Sequence, residues 1–84
     1  MSRGRGSEFL GKIVVSEESG RKFGIVGDID FVAESGELLN IILTDPTKHA
    51  TQLNLEQREG RLLIPFSTVK SVGDFVIISE KDIL

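Results

Sequence analysis

Apolar residues alternate with polar ones in short runs along most of the chain, and glycine, proline or a cluster of small polar residues closes each run. Period-two alternation with frequent turn signals is a β pattern. Phe9-Leu10 gives a first apolar anchor, Ile13-Val14-Val15 a first strand, and Ser16-Glu17-Glu18-Ser19-Gly20 a hairpin loop. From Lys22 the apolar residues Phe23, Ile25, Ile29, Phe31 and Ala33 share one face, with Gly27 between them. Gly24, Val26, Asp28, Asp30 and Val32 take the other, which predicts a long half-buried strand. Gly24 and Gly27 inside it predict a bulge or sharp bend, the device that lets one strand wrap around a small barrel.

Glu34-Ser35-Gly36-Glu37 turns the chain into a third strand, Leu38 to Thr44, with Leu39, Ile41 and Leu43 on one face and Asp45-Pro46 as its stop. The connection from Asp45 to Gly60 is too long to lack structure of its own. Thr51, Leu53 and Leu55 alternate as in an edge strand, while Ala50, Leu53, Leu55 and Gln57 fit a helical turn or two; the strand is ranked first. The organising stretch is Leu62 to Ile78. Leu62, Ile64 and Phe66 share a face, Pro65 belongs at an edge or bulge, and Val69 and Val72 sit three apart, as on one 3₁₀ or helical turn over 67–72. Gly73-Asp74 then turns the chain into Phe75-Val76-Ile77-Ile78, the strongest β signal present.

In order and spacing, these motifs resemble the PRC-barrel domain family. The residues that carry the resemblance are Leu63-Ile64-Pro65-Phe66, Val69-Lys70-Ser71-Val72-Gly73-Asp74 and Val76-Ile77-Ile78. Gly11-Lys12-Ile13-Val14-Val15-Ser16 and Gly20 to Ile29 carry it in the first half. Together they cover most of residues 8–79. The fold expected from alternation and implied by the resemblance is all-β: a small barrel of five or six mostly antiparallel strands with one short helical turn. The family includes the cytoplasmic domain of the reaction-centre H subunit, the C-terminal domain of RimM and stand-alone archaeal proteins.

The 84 residues, 39% of them hydrophobic, predict one domain over 8–84. Residues 1–7, with Arg3 and Arg5 between glycines and nothing to bury, are expected to be a mobile arm. No cysteine is present, so thiolate chemistry and disulfides are excluded, and no apolar run is long enough for a membrane-spanning helix. The expected location is cytoplasmic. The net charge is −3, and setting Arg3 and Arg5 aside leaves eight basic against thirteen acidic residues, a body at −5. That sign disfavours nucleic acid as the main partner.

Candidate chemistry is sparse. His49, the single histidine, stands beside Lys48 with no second ligand near in sequence and is read as a solvated loop residue. Asp28 and Asp30 share a strand face, as two cation ligands would, but no third is evident and a solvated exterior fits them better. Gly24 to Asp28 lacks the lysine of a phosphate loop, Ser67 and Ser71 have no base, and Asp74 reads as a turn aspartate. The expectation is therefore no enzyme, no metal and no cofactor. What remains is surface: Val14, Val26, Val32, Ile42 and Leu63 are the apolar residues that strict alternation leaves outside, a patch for another chain. Ile64, Pro65, Phe66, Val69, Val72, Gly73 and Asp74 form the structural signature. The leftover aliphatics, or an open edge beside Pro65, predict a two-fold homodimer, and the resemblance implies protein recognition without catalysis: an adaptor with a SepF-type division protein as first partner and ribosome maturation of the RimM type as the alternative.

Overall fold

Two bulges in the second strand set the geometry of the whole sheet. The computed structural model describes residues 8–83, so the expected arm at residues 1–7 and the terminal Leu84 lie outside the described residues. Seven strands form one sheet: β1 (Ile13–Ser16), β2 (Lys22–Phe31), β3 (Leu38–Thr44), β4 (Glu56–Arg58), β5 (Arg61–Pro65), β6 (Val69–Val72) and β7 (Phe75–Ile78). Their spatial order is β4-β5-β3-β2-β1-β7-β6. The all-β expectation holds. The count is seven rather than five or six, β4 and β6 end the sheet without pairing to each other, and β1 and β7 run parallel while the other pairs are antiparallel.

The register explains which residues face inward. On β2, Gly24 opposes Val14 and Lys22 opposes Val15, so Phe23 is an extra residue; on the β3 side Val26 opposes Leu43 and Asp28 opposes Ile42, so Gly27 is a second. Each extra residue advances the alternation by one position. The inward residues of β2 are therefore Phe23, Val26 and Ile29, spaced by three, and Ile25, Phe31 and Ala33 turn outward. This corrects the expected strict alternation and places Val26 in the core. Leu39 is skipped in the same way on β3 and is 41% exposed, while Ile41 and Leu43 are buried.

Gly24 is required by its backbone. Its φ is +147°, and an added Cβ would lie 3.1 Å from Pro46 Cα and from the Thr44 carbonyl oxygen. Gly73, by contrast, has no positive φ and open space around it, so the β6–β7 turn does not depend on glycine there.

The core gathers Val14, Val26, Ile41, Leu43, Leu62, Ile64, Val76 and Ile78 from the sheet, with Phe9, Phe23, Ala50 and Leu55. Ala50 comes from α1 (Lys48–Gln52), a short helix in the connection whose alternation favours an edge strand over a helical turn; the strand, β4, falls later. Thr47 caps the helix, its Oγ1 accepting from Ala50 N–H at 3.2 Å and donating to the Lys22 carbonyl at 2.7 Å. The capped turn buries Ala50 in the core and ties the connection to β2 through the Lys22 carbonyl.

The expected helical turn over 67–72 is a 3₁₀ turn at Phe66–Thr68, after which Val69–Val72 extends as β6. Val69 and Val72 both lie opposite inward β7 residues, because the bulge at Lys70 restores the face. Val69 packs on the core, and Val72 is 41% exposed. Pro65 ends β5 where only β3 still pairs with it, an edge-like position as expected.

Candidate functional site

At one end of the sheet the polar side chains that are closest to chemistry form a lock. Glu18, in the β1–β2 loop, accepts hydrogen bonds from the Glu80 N–H at 2.7 Å, Ser79 Oγ at 2.9 Å and Ser16 Oγ at 3.4 Å. Ser16 and Ser79 are buried and fully satisfied by such bonds. Glu80 joins the same network: its Oε2 lies 3.1 Å from His49 Nε2 and its Oε1 accepts from Ser19 Oγ at 3.2 Å. The His49 ring also meets Phe23 edge-on, with ring centroids 5.3 Å apart. His49 is thus not a solvated loop residue; it is a helix residue packed on the core and tied to the C-terminal segment. In this cluster serine, carboxylate and histidine are in the wrong order for nucleophilic activation. Hydroxyl and imidazole both address the carboxylate, whereas an activated serine needs its hydroxyl on the imidazole.

The lock makes stability acid-sensitive. Loss of water contact pushes the Glu18 carboxyl up, but the Glu80 N–H, the Ser79 hydroxyl and further backbone donors outweigh it and hold the group below its ordinary 4.5. A depressed carboxylate pKa contributes stability above the unfolded value, lost as pH falls through the folded one. Glu18→Gln should therefore lower Tm at neutral pH, and its deficit against the parent protein should shrink below about pH 4.5. Melting curves between neutral pH and about pH 3 check this.

Asp28 and Asp30 part company. Asp28 is exposed and accepts from the N–H of Ile29, whereas Asp30 accepts from Asn40 Nδ2 at 3.1 Å and pairs with Arg58 at 3.2 Å. The Asn40 hydrogen bond and then the Arg58 charge hold its carboxyl below the usual range, against an opposing desolvation effect. Among the described residues no three of His, Cys, Asp and Glu stand together as a metal would need. Arg58 is on β4 and Asp30 on β2, with β5 and β3 between them, so the sheet must curl to let them meet. Leu63, on the curled face with Ile42, is consequently only 1% exposed.

The patch expected from Val14, Val26, Val32, Ile42 and Leu63 is not a surface patch. Val14, Val26 and Leu63 are buried, the first two by the bulged register and the third by the curl; Val32 and Ile42 are half-buried. Alternation could not reveal this, because neither bulge position nor curl is written in residue type.

Two other apolar features are present. One is the outer face of the parallel pair. Ile25, Ile13 and Phe75 form one cross-strand row and Val15 and Ile77 stand in the next, all partly exposed, while Val14, Val76 and Ile78 fill the inner face. Phe75 is 45% exposed. The other is a groove of about 1000 Å³ bounded by the N-terminal turn, the β2–β3 connection, the 3₁₀ turn and β6. Its floor holds Phe9 and Phe66, with ring centroids 5.3 Å apart, flanked by Leu38 and Val72; Glu8, Lys12, Glu37 and Ser67 supply the polar lining. The Lys12 ammonium donates to the Gly73 carbonyl. Of the signature residues, Phe66 and Val72 thus line this groove, Ile64 is core, and Gly73 and Asp74 are exposed turn residues.

Among the described residues no helix is long and apolar enough to cross a membrane. The profile of the family described as PRC-barrel domain matches residues 1–83. The chain is also similar to the probable sporulation protein YlmC of Bacillus subtilis (strain 168), 36% identical over 72 residues, which are 86% of this chain and 85% of that protein.

Proposed function

The chain belongs to the PRC-barrel domain family, and from that premise we propose that it is a non-catalytic, cytoplasmic protein-recognition module that acts as a homodimer. The observation that carries this reading is the outer face of β1 and β7. Parallel strands read as continuous apolar runs when both their faces are covered, and Ile13-Val14-Val15 and Phe75-Val76-Ile77-Ile78 are such runs. The chain's own core covers one face of them. Ile13, Val15, Ile25, Phe75 and Ile77 are all apolar, and Lys22, opposite Val15 at the start of β2, is exposed with a long stem that can carry its charge to water, so a two-fold copy meets like with like.

Light scattering should give twice the 9.2 kDa chain mass at micromolar concentration. Phe75→Lys should halve that mass and leave the circular dichroism spectrum intact. A parent protein that scatters as a single chain removes the dimer from the proposal.

For the partner, a SepF-type division protein is the first reading and ribosome assembly of the RimM type the second, both brought by family resemblance. The relative's name places it in sporulation of a bacterium, so the archaeal setting has no support from it. Affinity capture followed by mass spectrometry separates the two: a SepF-type protein supports the first, ribosomal proteins the second, and neither result overturns both.

A further inference from the structure

We propose that the groove receives an extended apolar segment of a second protein, flanked by basic residues and added as a strand to the free edge of β6. The proposal rests on the protein-recognition reading above and supplies its site and the chemistry of its partner. Three observations converge on it.

The first is the edge. β4 and β6 end the sheet, and they differ in what they offer. β4 carries Glu56, Gln57 and Arg58, all exposed, a charged edge of the kind that resists strand addition. β6 reads Val69-Lys70-Ser71-Val72 with a single charge, and that charge pairs with Asp82 at 3.6 Å. β6 is the edge left open to pairing.

The second is what lies beside that edge. Val72 belongs to β6 and also lines the groove, whose floor is the tilted Phe9–Phe66 pair with Leu38 next to it. A strand hydrogen-bonded to β6 sends every second side chain to one face, so alternate apolar residues would descend on that floor. Backbone pairing gives such a complex affinity, and the floor selects for size and apolarity.

The third is charge. Glu8 from the N-terminal turn and Glu37 from the β2–β3 connection stand in the lining against one basic residue among the described ones, Lys12, whose ammonium donates to the Gly73 carbonyl and keeps its charge. Two carboxylates against one ammonium leave the described lining with a net charge of −1, of the same sign as the body as a whole. Lysine or arginine beside the apolar anchors of the incoming segment complements it, and a phosphate backbone does not. A second copy of this chain is the poorer occupant, since a two-fold contact through the groove sets acidic lining against acidic lining.

The test uses the full chain and a short synthetic peptide with leucines at alternate positions between lysine pairs, compared with its glutamate-flanked counterpart by fluorescence polarisation. The lysine peptide should bind at least about tenfold more tightly, and rising salt should weaken it. A Glu8→Lys, Glu37→Lys double variant should reverse the preference. Val72→Asp, at an exposed position, should abolish binding while spectrum and mass stay those of the parent. No binding, equal binding of both peptides, or a preference indifferent to the charge reversal overturns the proposal. Peptide binding that splits the dimer also overturns it and makes the groove a self-association face. Phe75→Lys keeps the two readings apart: if it turns the dimer into a monomer while the parent ignores both peptides, the groove proposal falls and the dimeric module stands.

Discussion

Val14→Asp is expected to unfold the domain or to remove most of its stability at room temperature. Val14 is fully buried in β1, opposite Gly24 on one side and Val76 on the other, within the main apolar cluster. Among the described residues no buried side-chain donor lacks a partner, so a carboxylate there finds nothing already waiting for it. An unpaired buried carboxylate costs about 3–5 kcal/mol, and a domain of this size has only about 5–10 kcal/mol in total. The lost packing of the valine methyls adds to the cost. The neighbouring substitution Val15→Asp puts the same charge on the outer face and should leave a folded monomer. Far-UV circular dichroism and urea titration of the two variants read the phase of β1 directly; equal damage in both would contradict the register.

The second large effect is expected at Gly24. Alanine there must hold a backbone φ of +147°, and its methyl meets main-chain atoms of Thr44, Asp45 and Pro46, which have little freedom to retreat. Strain of this kind costs about 1–3 kcal/mol before any clash is counted. Gly24→Ala should lower the unfolding free energy by at least about 2 kcal/mol, whereas Gly73→Ala, in open space without a positive φ, should be nearly neutral. Urea midpoints of the pair give the comparison, and a Gly24→Ala loss no larger than that of Gly73→Ala would contradict the close approach at Gly24.

What could be read from the chain follows from how local each signal is. β1, β3 and β7 were legible because their apolar runs are bounded by turn residues within a few positions, as Ile13-Val14-Val15 is by Ser16 to Gly20. The presence of bulges in β2 was legible from Gly24 and Gly27. Their phase was not: whether Phe23 or Ile25 faces the core depends on the partner strand skipping a residue, and that is a property of two segments at once. His49 illustrates the same limit. Its partners are Phe23 and Glu80, remote in sequence, so its neighbours along the chain carry no sign of them. The groove escaped for a related reason, since Phe9, Leu38, Phe66 and Val72 come from separate elements and each is ordinary alone. The signal that could have found it was present in the two ends of the sheet: Glu56-Gln57-Arg58 is a guarded strand, and Val69 to Val72 is not.

The parallel pairing of β1 with β7 also dictates when this chain folds. β1 is the first strand to be synthesised and β7 the last, and the lock over them joins Glu18 to Ser79 across 61 residues. Contacts of such separation come at a high loop-closure cost and slow folding. On the ribosome, β1 emerges with one face and one edge bare and stays so until β7 has cleared the exit tunnel. The β2–β3 hairpin and β5 find their neighbours early, but the apolar run of β1 waits for a strand not yet made. Nascent chains arrested before Phe75 are thus the species most exposed to chaperones and to misassembly, and the emergence of Phe75 to Ile78 is the event that completes the sheet.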